Sequence, residues 1–529
     1  MPKFIFVTGG VLSSLGKGIF SSSLGRILKS CGHKVSIMKI DPYLNCDAGT
    51  LNPFEHGEVF VTRDGFECDL DIGNYERFLN EFARREQNLM MGSAYRSIIE
   101  RERKGEFLGQ TLQLIPHATN EIKNRIRIAA KTTGADILIV EIGGTVGDIE
   151  GEVVLEAIRQ MKFEEPPDST LYIHLALLPT IITGEQKTKP MQHSVKELLG
   201  RGITPGIVVG RSEAALLEAT RKKIALFCNV APEEVFYSRT VQYTEELPLI
   251  LLEQGLQKVI ERKLGLKSNS CKLNDWEKLV SKMKNLENGV RIAVIGKYAT
   301  TKDTYMSVFE AIKHAGLHND VKIDAVLIDS EKIESGEQSL EGFQGFVVPG
   351  GFGERGVEGI ITAIKYAREN DIPYLGLCYG LQLAIIEFAR NKIGWKDAHT
   401  TEIDSNTKHG VIDFLPEQKE IDWKGGTMRL GVRDVKVIPG TKAFELYGTD
   451  LVQKRFRHRY EVNPEFIPDL EKAGMVISGK DPEREIMKIG ELKDHPFFMG
   501  TQFHPEFDSR LTQAEPLFDG FIKAAKQTG

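Results

Sequence analysis

The sequence predicts an α/β protein built from two doubly wound, mainly parallel-sheet domains. Two observations carry that expectation. Short apolar runs recur along both halves of the chain with helix-patterned stretches between them, and a polar, lysine-rich stretch separates the halves. Continuously apolar runs suit strands buried on both faces, as parallel strands covered by crossover helices are. In the first half these runs are FIFVT, KVSIMKI at 34–40, DILIVEI at 136–142, LYIHLALL at 171–178 and GIVVG at 206–210. KLGLKSNSCKLNDWEKLVSKMKNLENG then reads as a partly helical linker, assigned to 267–289 between a first domain at 1–266 and a second at 290–529. VRIAVIGKY opens the second set, followed by DAVLI (324–328), GFVVPGG (345–351), IPYLGL (372–377) and PFFMGTQF (496–503).

Composition frames the function classes. A chain of 529 residues can bury large cores. Its formal net charge of −6 argues against a nucleic-acid binder or a membrane-surface protein, which usually carry a basic excess. No run of 18 apolar residues suggests a transmembrane helix. MPKFIFVTGG has too short an apolar stretch for a signal peptide and reads as a first strand. The six cysteines, at 31, 46, 68, 228, 271 and 378, show no CxxC pair and no disulfide-like density. A reducing, cytoplasmic location is expected from that usage.

FVTGGVLSSLGKG places Gly9, Gly10, Ser13, Ser14, Gly16, Lys17 and Gly18 between the first strand and a helix starting IFSSSLGRILKS. Backbone N–H groups free of side chains, a helix N-terminus and a lysine together suit phosphate oxygens. An ordinary glycine-rich turn would leave the lysine and paired glycines unexplained. The loop departs from GxxxxGK[ST]: it is one residue longer, and Gly18 replaces the hydroxyl residue that normally meets magnesium. Carboxylates are therefore sought elsewhere. Glu141 ends DILIVE at the carboxyl end of a strand, and Asp69 and Asp71 of ECDLDIGNYERF alternate along a segment read as extended. Asp71 and Glu141 would suit Mg²⁺, with a solvated acidic turn as the competing reading for Asp71. Lys39, ending VSIMK, is placed to touch a transferring phosphate or is a surface lysine.

The second site is a reactive cysteine. GLCYG at 376–380 has the Gly-x-nucleophile-x-Gly form of a tight strand-to-helix elbow, which puts Cys378 at the N-terminus of a helix where thiolate is favoured. QFHPEF supplies His504 as a base and Glu506 as its orienting carboxylate. PGGFG at 349–353 offers oxyanion donors, Gly351 first among them.

GLCYG, QFHPEF and PGGFG resemble the motifs of class I glutamine amidotransferases. FVTGGVLSSLGKG, KIDPYLNCDAGT, HGEVFVTRDG, EIGGTVGDIE, TGEQKTKPMQHSVKELL and KIALFCNV resemble the amidoligase domain of the CTP synthases, so the resemblance covers nearly the whole chain. It implies a P-loop-like synthase domain joined to an amidotransferase domain. It further implies a ligase that phosphorylates the 4-oxygen of UTP with ATP and Mg²⁺, then displaces the phosphate with ammonia from L-glutamine. Carried over residue by residue, Cys378, His504 and Glu506 are catalytic. Gly351, Tyr379, Gly380, Leu381, Gln382, Glu402 and Arg459 hold glutamine. Ser14, Leu15, Gly16, Lys17, Gly18, Ile19 and Asp71 hold ATP, and Arg239, Thr240 and Val241 its adenine. Asp71 and Glu141 hold the metal. Ser13, Lys187, Thr188, Lys189, Pro190, Met191, Gln192 and Lys223 hold UTP, while Asp148, Ile149 and Glu150 bear on inhibitory CTP. The three lysines suit a triphosphate, although a solvated basic face is the competing reading for Lys223. The resemblance also implies activation by GTP and a homotetramer with the UTP site at a subunit interface. Two rivals share parts of the pattern: a synthase amidating a large carboxylate, which leaves KTKPMQ without a purpose, and a nucleotide switch with a degenerate glutaminase, which the intact Cys378, His504 and Glu506 oppose.

Overall fold

Each apolar run of the first half is a strand. The computed structural model describes residues 1–12, 15–182, 184–267, 269–287, 289–297, 301–414 and 428–528. It divides into two compact units, one of Met1–Ala48 with Asp71–Val280, the other of Gly49–Leu70 with Ser281–Gly529.

In the first unit seven strands lie in the order Asn88–Met90, Val35–Asp41, Ile137–Ile142, Lys3–Gly10, Thr170–Leu177, Ile207–Ser212, Val235–Arg239. Every pairing is parallel. The continuous apolar runs follow from that arrangement, since residues of both strand faces, such as Phe6, Val7, Leu138 and Ile139, are fully buried under helices. The carboxyl ends of these strands carry Gly9, Gly10, Lys39 and Glu141, so the sheet gathers the phosphate loop and the charged residues along one edge. The linker is partly helical, over Asn274–Lys284. Its Trp276 is buried, packs on Phe78 at 5.5 Å between ring centroids and donates its indole N–H to Glu245 O at 2.8 Å.

One expectation is corrected here. Cys31 and Cys271 form a disulfide across 240 residues of sequence. Cys31 caps the helix Lys17–Ser30, and the neighbouring Lys272 N–H donates to Ser30 O at 3.0 Å. The pairing comes from packing of the linker on that helix, so cysteine spacing carried no trace of it.

The second unit holds a nine-stranded sheet. Lys322–Asp329, Gly289–Gly296, Gly345–Val348, Tyr374–Leu377 and Phe498–Thr501 run parallel in that spatial order. Met487–Leu492, Met475–Lys480, Arg429–Val437 and Leu451–His458 extend it antiparallel. The parallel portion carries the cysteine elbow. Residues 49–70 belong to this unit through a small hairpin, Phe60–Val61 paired with Glu67–Cys68. Fully buried Arg455 donates to Val61 O at 3.0 Å, and Arg457 Nε meets Glu67 Oε1 at 2.8 Å. Among the described residues no helix is long and apolar enough to cross a membrane.

Candidate functional site

The phosphate loop ends in Gly16, whose φ of 82° lies in the left-handed region open to glycine, and the helix Lys17–Ser30 begins at once. Ser13 and Ser14 lie outside the described residues. Lys17 is nearly buried and donates to Gly144 O at 2.8 Å. Burial lowers its pKa, against the pull of the Glu141 and Asp71 carboxylates. Lys39 is the hub beside it. Its ammonium donates to Asp71 Oδ2 and, at 3.2 Å, to Glu141 Oε1, and lies 3.9 Å from Asp41. Tyr75 O–H donates to the other Glu141 oxygen and Asn74 Nδ2 to Asp71 Oδ1 at 3.3 Å.

Environment separates the two carboxylates. Burial raises the Glu141 pKa, with Lys39 only partly opposing it. Burial also disfavours the Asp71 anion, yet the charge and hydrogen bond of Lys39 carry its pKa below the usual carboxylate value. Asp71 stands in the first turn of the helix Leu70–Leu79, and the strand before it stops at Cys68. The extended reading of Asp69 and Asp71 is therefore corrected: a helix start, with its own attraction for a carboxylate, orients Asp71. A Cβ on Gly18 would fall 1.9 Å from Asp71 Oδ1. The missing hydroxyl of the phosphate loop thus has a physical reason, because the Asp71 carboxylate fills its place. Two carboxylates joined through one lysine, beside a phosphate loop, are a donor set that fits a hard divalent cation.

The KTKPMQHS segment abuts the same loop. Its helix, Lys189–Gly200, brings Ser194 so close that a Cβ on Gly10 would lie 1.6 Å from Ser194 Oγ. Buried His174 joins the two elements, 2.8 Å from Thr8 Oγ1 and 2.7 Å from Ser194 Oγ. Burial, with Lys17 nearby, lowers its pKa to about 3, so it bonds as a neutral ring. Thr188 is buried and accepts from Gln192 at 2.9 Å, Met191 lies in the core, and Pro190 occupies the first helical turn. Lys187 is half exposed and paired with Glu185 at 2.6 Å; Lys223 is exposed and acts electrostatically on that same glutamate. Lys189 lies over the Phe227 ring at 5.9 Å. Asp148, Ile149 and Glu150 form an exposed turn in which Asp148 accepts the Thr145 N–H at 2.9 Å. Leu15 is buried, and Ile19 sits in the first turn after Lys17. Arg239 ends its strand and is exposed, with Thr240 and Val241 just beyond. Arg211, not singled out from sequence, donates to Arg239 O at 3.2 Å and would meet a Cβ on Gly16 at 3.8 Å.

In the second unit the cysteine elbow is strained. Cys378 has φ 52° and ψ −95°, in the positive-φ region rarely taken by a side-chain-bearing residue, and caps the helix Tyr379–Phe388. Its N–H donates to Thr501 O at 2.6 Å. The flanking glycines are steric necessities: a Cβ on Gly376 would meet the Gly380 carbonyl carbon at 2.7 Å, and one on Gly380 the Val348 oxygen at 2.3 Å. His504 Nδ1 and Glu506 Oε1 are 2.7 Å apart, both residues buried. His504 Nε2 has no well-formed hydrogen bond. Burial opposes charge on this imidazole, but Glu506 and the Cys378 sulfur outweigh it and push the pKa up to about 10. At neutral pH the imidazole therefore holds a proton. Phe507 stacks on its ring at 5.2 Å, and Phe60 of the 49–70 hairpin backs Phe507 at 4.8 Å.

PGGFG closes on this group. A Cβ on Gly350 would reach His504 Cε1 at 2.8 Å, and one on Gly351 would reach Tyr379 at 3.4 Å. Tyr379 O–H donates to Gly353 O at 2.6 Å, Lys297 Nζ to Phe352 O at 2.9 Å, and the Gly353 N–H to Glu402 Oε1 at 3.0 Å. Burial lowers the Lys297 pKa to about 8, with Glu402 opposing it, and burial raises that of Glu402. Glu402 and Arg459 both act on Tyr460, whose backbone oxygen accepts Gln382 Nε2 at 2.7 Å. Leu381 is buried against Gly500. Five of the seven residues expected around glutamine, Gly351, Tyr379, Gln382, Glu402 and Arg459, are thus linked by this set of contacts, His504 meets the same loop at Gly350, and Gly380 forms the elbow itself. Lys297 was not foreseen, although its signal matches that of Lys39: a lysine ending an apolar strand.

The family described as "CTP synthase N-terminus" matches residues 3–266 and "Glutamine amidotransferase class-I" matches residues 300–524. The chain is 54% identical over 531 residues to the CTP synthase of Pyrococcus abyssi, covering 100% of this chain and 98% of that protein. It is 52% identical over 531 residues to that of Carboxydothermus hydrogenoformans, covering 100% and 99%. Among solved structures it is similar to the glutaminase domain of Trypanosoma brucei CTPS with bound acivicin, at 37% identity and a TM-score of 0.42, covering 45% of this chain and 94% of that one.

Proposed function

The chain belongs to the CTP synthase family, and from that premise we propose how its residues convert UTP to CTP with ATP and the nitrogen of glutamine. One observation carries the reading: a single chain holds both the Lys17, Lys39, Asp71 and Glu141 cluster and an intact Cys378, His504 and Glu506 set.

In the amidotransferase unit the shared proton of Cys378 and His504 rests on His504 Nε2, leaving a thiolate, and Glu506 holds the imidazolium. The thiolate attacks the glutamine amide carbon while N–H groups of the PGGFG loop, Gly351 foremost, receive the oxyanion. The C–N bond breaks as His504 returns its proton to the leaving ammonia. Water then hydrolyses the thioester and glutamate departs. Gly351, Tyr379, Gly380, Leu381, Gln382, Glu402 and Arg459 bind and orient glutamine.

In the synthase unit the N–H groups of Leu15 to Ile19 cradle ATP phosphates, with Ser14 completing the loop and Arg239 to Val241 meeting adenine. Asp71 and Glu141 would hold Mg²⁺, whose charge offsets that of the phosphates when bound. Lys17 and Lys39 then face the transferring phosphoryl group. Ser13, Lys187 to Gln192 and Lys223 hold UTP. The UTP 4-oxygen takes the phosphoryl group. Ammonia then forms the new C–N bond as the C–O bond to phosphate breaks, giving CTP, ADP and phosphate. Asp148 to Glu150 respond to inhibitory CTP, GTP activates, and the chains assemble as a cytoplasmic homotetramer.

The experiment is CTP formation by the purified chain with UTP, ATP and Mg²⁺, supplied with glutamine or with ammonium. Equal CTP and ADP from either source is expected. ADP release that ignores UTP would contradict the reading.

A further inference from the structure

Gln502 has no part in the account above, yet it touches the reacting sulfur. It follows the strand Phe498–Thr501, its side chain is fully buried, and its own N–H donates to Lys488 O at 2.9 Å. Its Nε2 lies 3.5 Å from Cys378 Sγ, and its Oε1 accepts Gln382 Nε2 at 3.3 Å. The same Gln382 Nε2 donates to Tyr460 O at 2.7 Å.

This chain of contacts fixes both amide orientations. A backbone carbonyl accepts only, so Gln382 must present its NH₂ to Tyr460 O. That NH₂ requires an oxygen from Gln502, which leaves the Gln502 NH₂ facing the sulfur. Turning either amide over would set donor against donor or acceptor against acceptor in a buried place, where the mismatch is costly. The sulfur therefore stands between two backbone-anchored groups with opposite preferences. Arg457 O, 3.6 Å from Sγ, can accept only from the thiol. The Gln502 N–H bonds far better to a thiolate, because a donor to an anion is about twice as strong as one to a neutral acceptor.

We propose that Gln502 is a further catalytic residue of the glutaminase reaction, a fixed N–H donor that stabilises the Cys378 thiolate and holds it for attack on the amide. It gives up no proton: the sulfur's proton goes to His504, and Gln502 supplies a hydrogen bond alone. The proposal rests on Cys378 being the nucleophile.

The test uses the full-length chain and its Gln502→Glu and Gln502→Leu variants. The first keeps the oxygen that Gln382 needs and loses the donor; the second loses both. The readouts are alkylation of Cys378 by iodoacetamide across pH, followed by mass on its own peptide, and glutamine hydrolysis. Both variants should alkylate roughly ten- to a hundred-fold more slowly than wild type at neutral pH, converge with it at strongly alkaline pH, and lose kcat/KM for glutamine by a similar factor. A residue that only packs the site would, when replaced, expose the thiol and speed alkylation. Wild-type or faster alkylation at neutral pH, or a deficit equal at every pH, overturns the proposal. Cys378→Ala separates the two claims: if it still hydrolyses glutamine, the nucleophile assignment has failed and the Gln502 result is read no further.

Discussion

The two units prepare for chemistry in opposite ways. In the amidotransferase unit the side chains proposed for catalysis already lie close: a strained Cys378 whose sulfur acts on the His504 imidazole, and His504 hydrogen-bonded to Glu506 and stacked on Phe507. In the synthase unit the charged groups are spent on one another, Lys39 on Asp71 and Glu141, and Lys17 on the Gly144 carbonyl. Covalent catalysis needs a nucleophile, base and oxyanion donors at fixed distances before the substrate arrives. Phosphoryl transfer needs positive charge brought to a ligand that carries its own charge and cation, and the groups proposed for it pair with one another here. The lesson is that a self-satisfied charge cluster and a preassembled triad are both signs of a poised site, read by different rules.

Substitutions can break that contrast. The largest effect is expected at the carboxylates. Asp71→Asn or Glu141→Gln removes one of the carboxylates around Lys39 and a metal donor, so CTP formation should fall by about a hundred-fold or more with either nitrogen source. Gly18→Ser should fail in the same way, because its Cβ would fall 1.9 Å from Asp71 Oδ1 although it restores the usual phosphate-loop residue. Steady-state assays with glutamine and with ammonium check both, and a wild-type rate in either carboxylate variant would remove that residue from the metal site.

A loss of about a hundred-fold, confined to glutamine, is expected for Glu506→Gln. The carboxylate is the strongest of the groups that raise the His504 pKa to about 10 against burial. Without it the imidazolium should deprotonate at lower pH, so the glutamine-dependent rate should decline between about pH 7 and 9, where the wild-type imidazolium limb is flat. The same sign governs stability. A raised His504 pKa contributes stability fully present below the unfolded value near 6.5 and lost as pH rises through about 10. A pH–rate profile that is unchanged in the variant would detach Glu506 from the base. The smallest effect belongs to Lys187→Ala. Its ammonium is half exposed and already paired with Glu185, so the KM for UTP should rise only about ten-fold, with ATP affected less. An unchanged UTP dependence would make it a surface lysine.

Sequence was legible where a single local rule decides position. Apolar runs gave the parallel strands, and GLCYG demanded an elbow because a Cβ on Gly376 or Gly380 would strike backbone. The charged residues at strand ends, Lys39 and Glu141, followed from the sheet alone. What escaped needed distance. The strand Arg429–Val437 alternates buried Val435 and Val437 with exposed Arg433, Asp434 and Lys436, so a search for continuous apolar runs passes over it. Asp71 reads as extended when only its alternation with Asp69 is weighed, although Asp69, just before the helix Leu70–Leu79, and Asp71 in its first turn are residue types that start helices. Gln502 sits in a motif whose histidine and glutamate drew attention, and only the Gln382 contact reveals which way its amide points.

The division of labour between the two units is the central claim, and one comparison tests it most directly: CTP formation by Cys378→Ala, measured with glutamine and then with ammonium at alkaline pH, beside Lys17→Ala. The account predicts that Cys378→Ala loses the glutamine-dependent reaction and keeps near-normal synthesis from ammonium, since the synthase unit needs only NH₃ at the pyrimidine carbon. Lys17→Ala should lose both. Glutamine-dependent CTP from Cys378→Ala, or loss of its ammonium-dependent synthesis in a folded protein, would contradict the account.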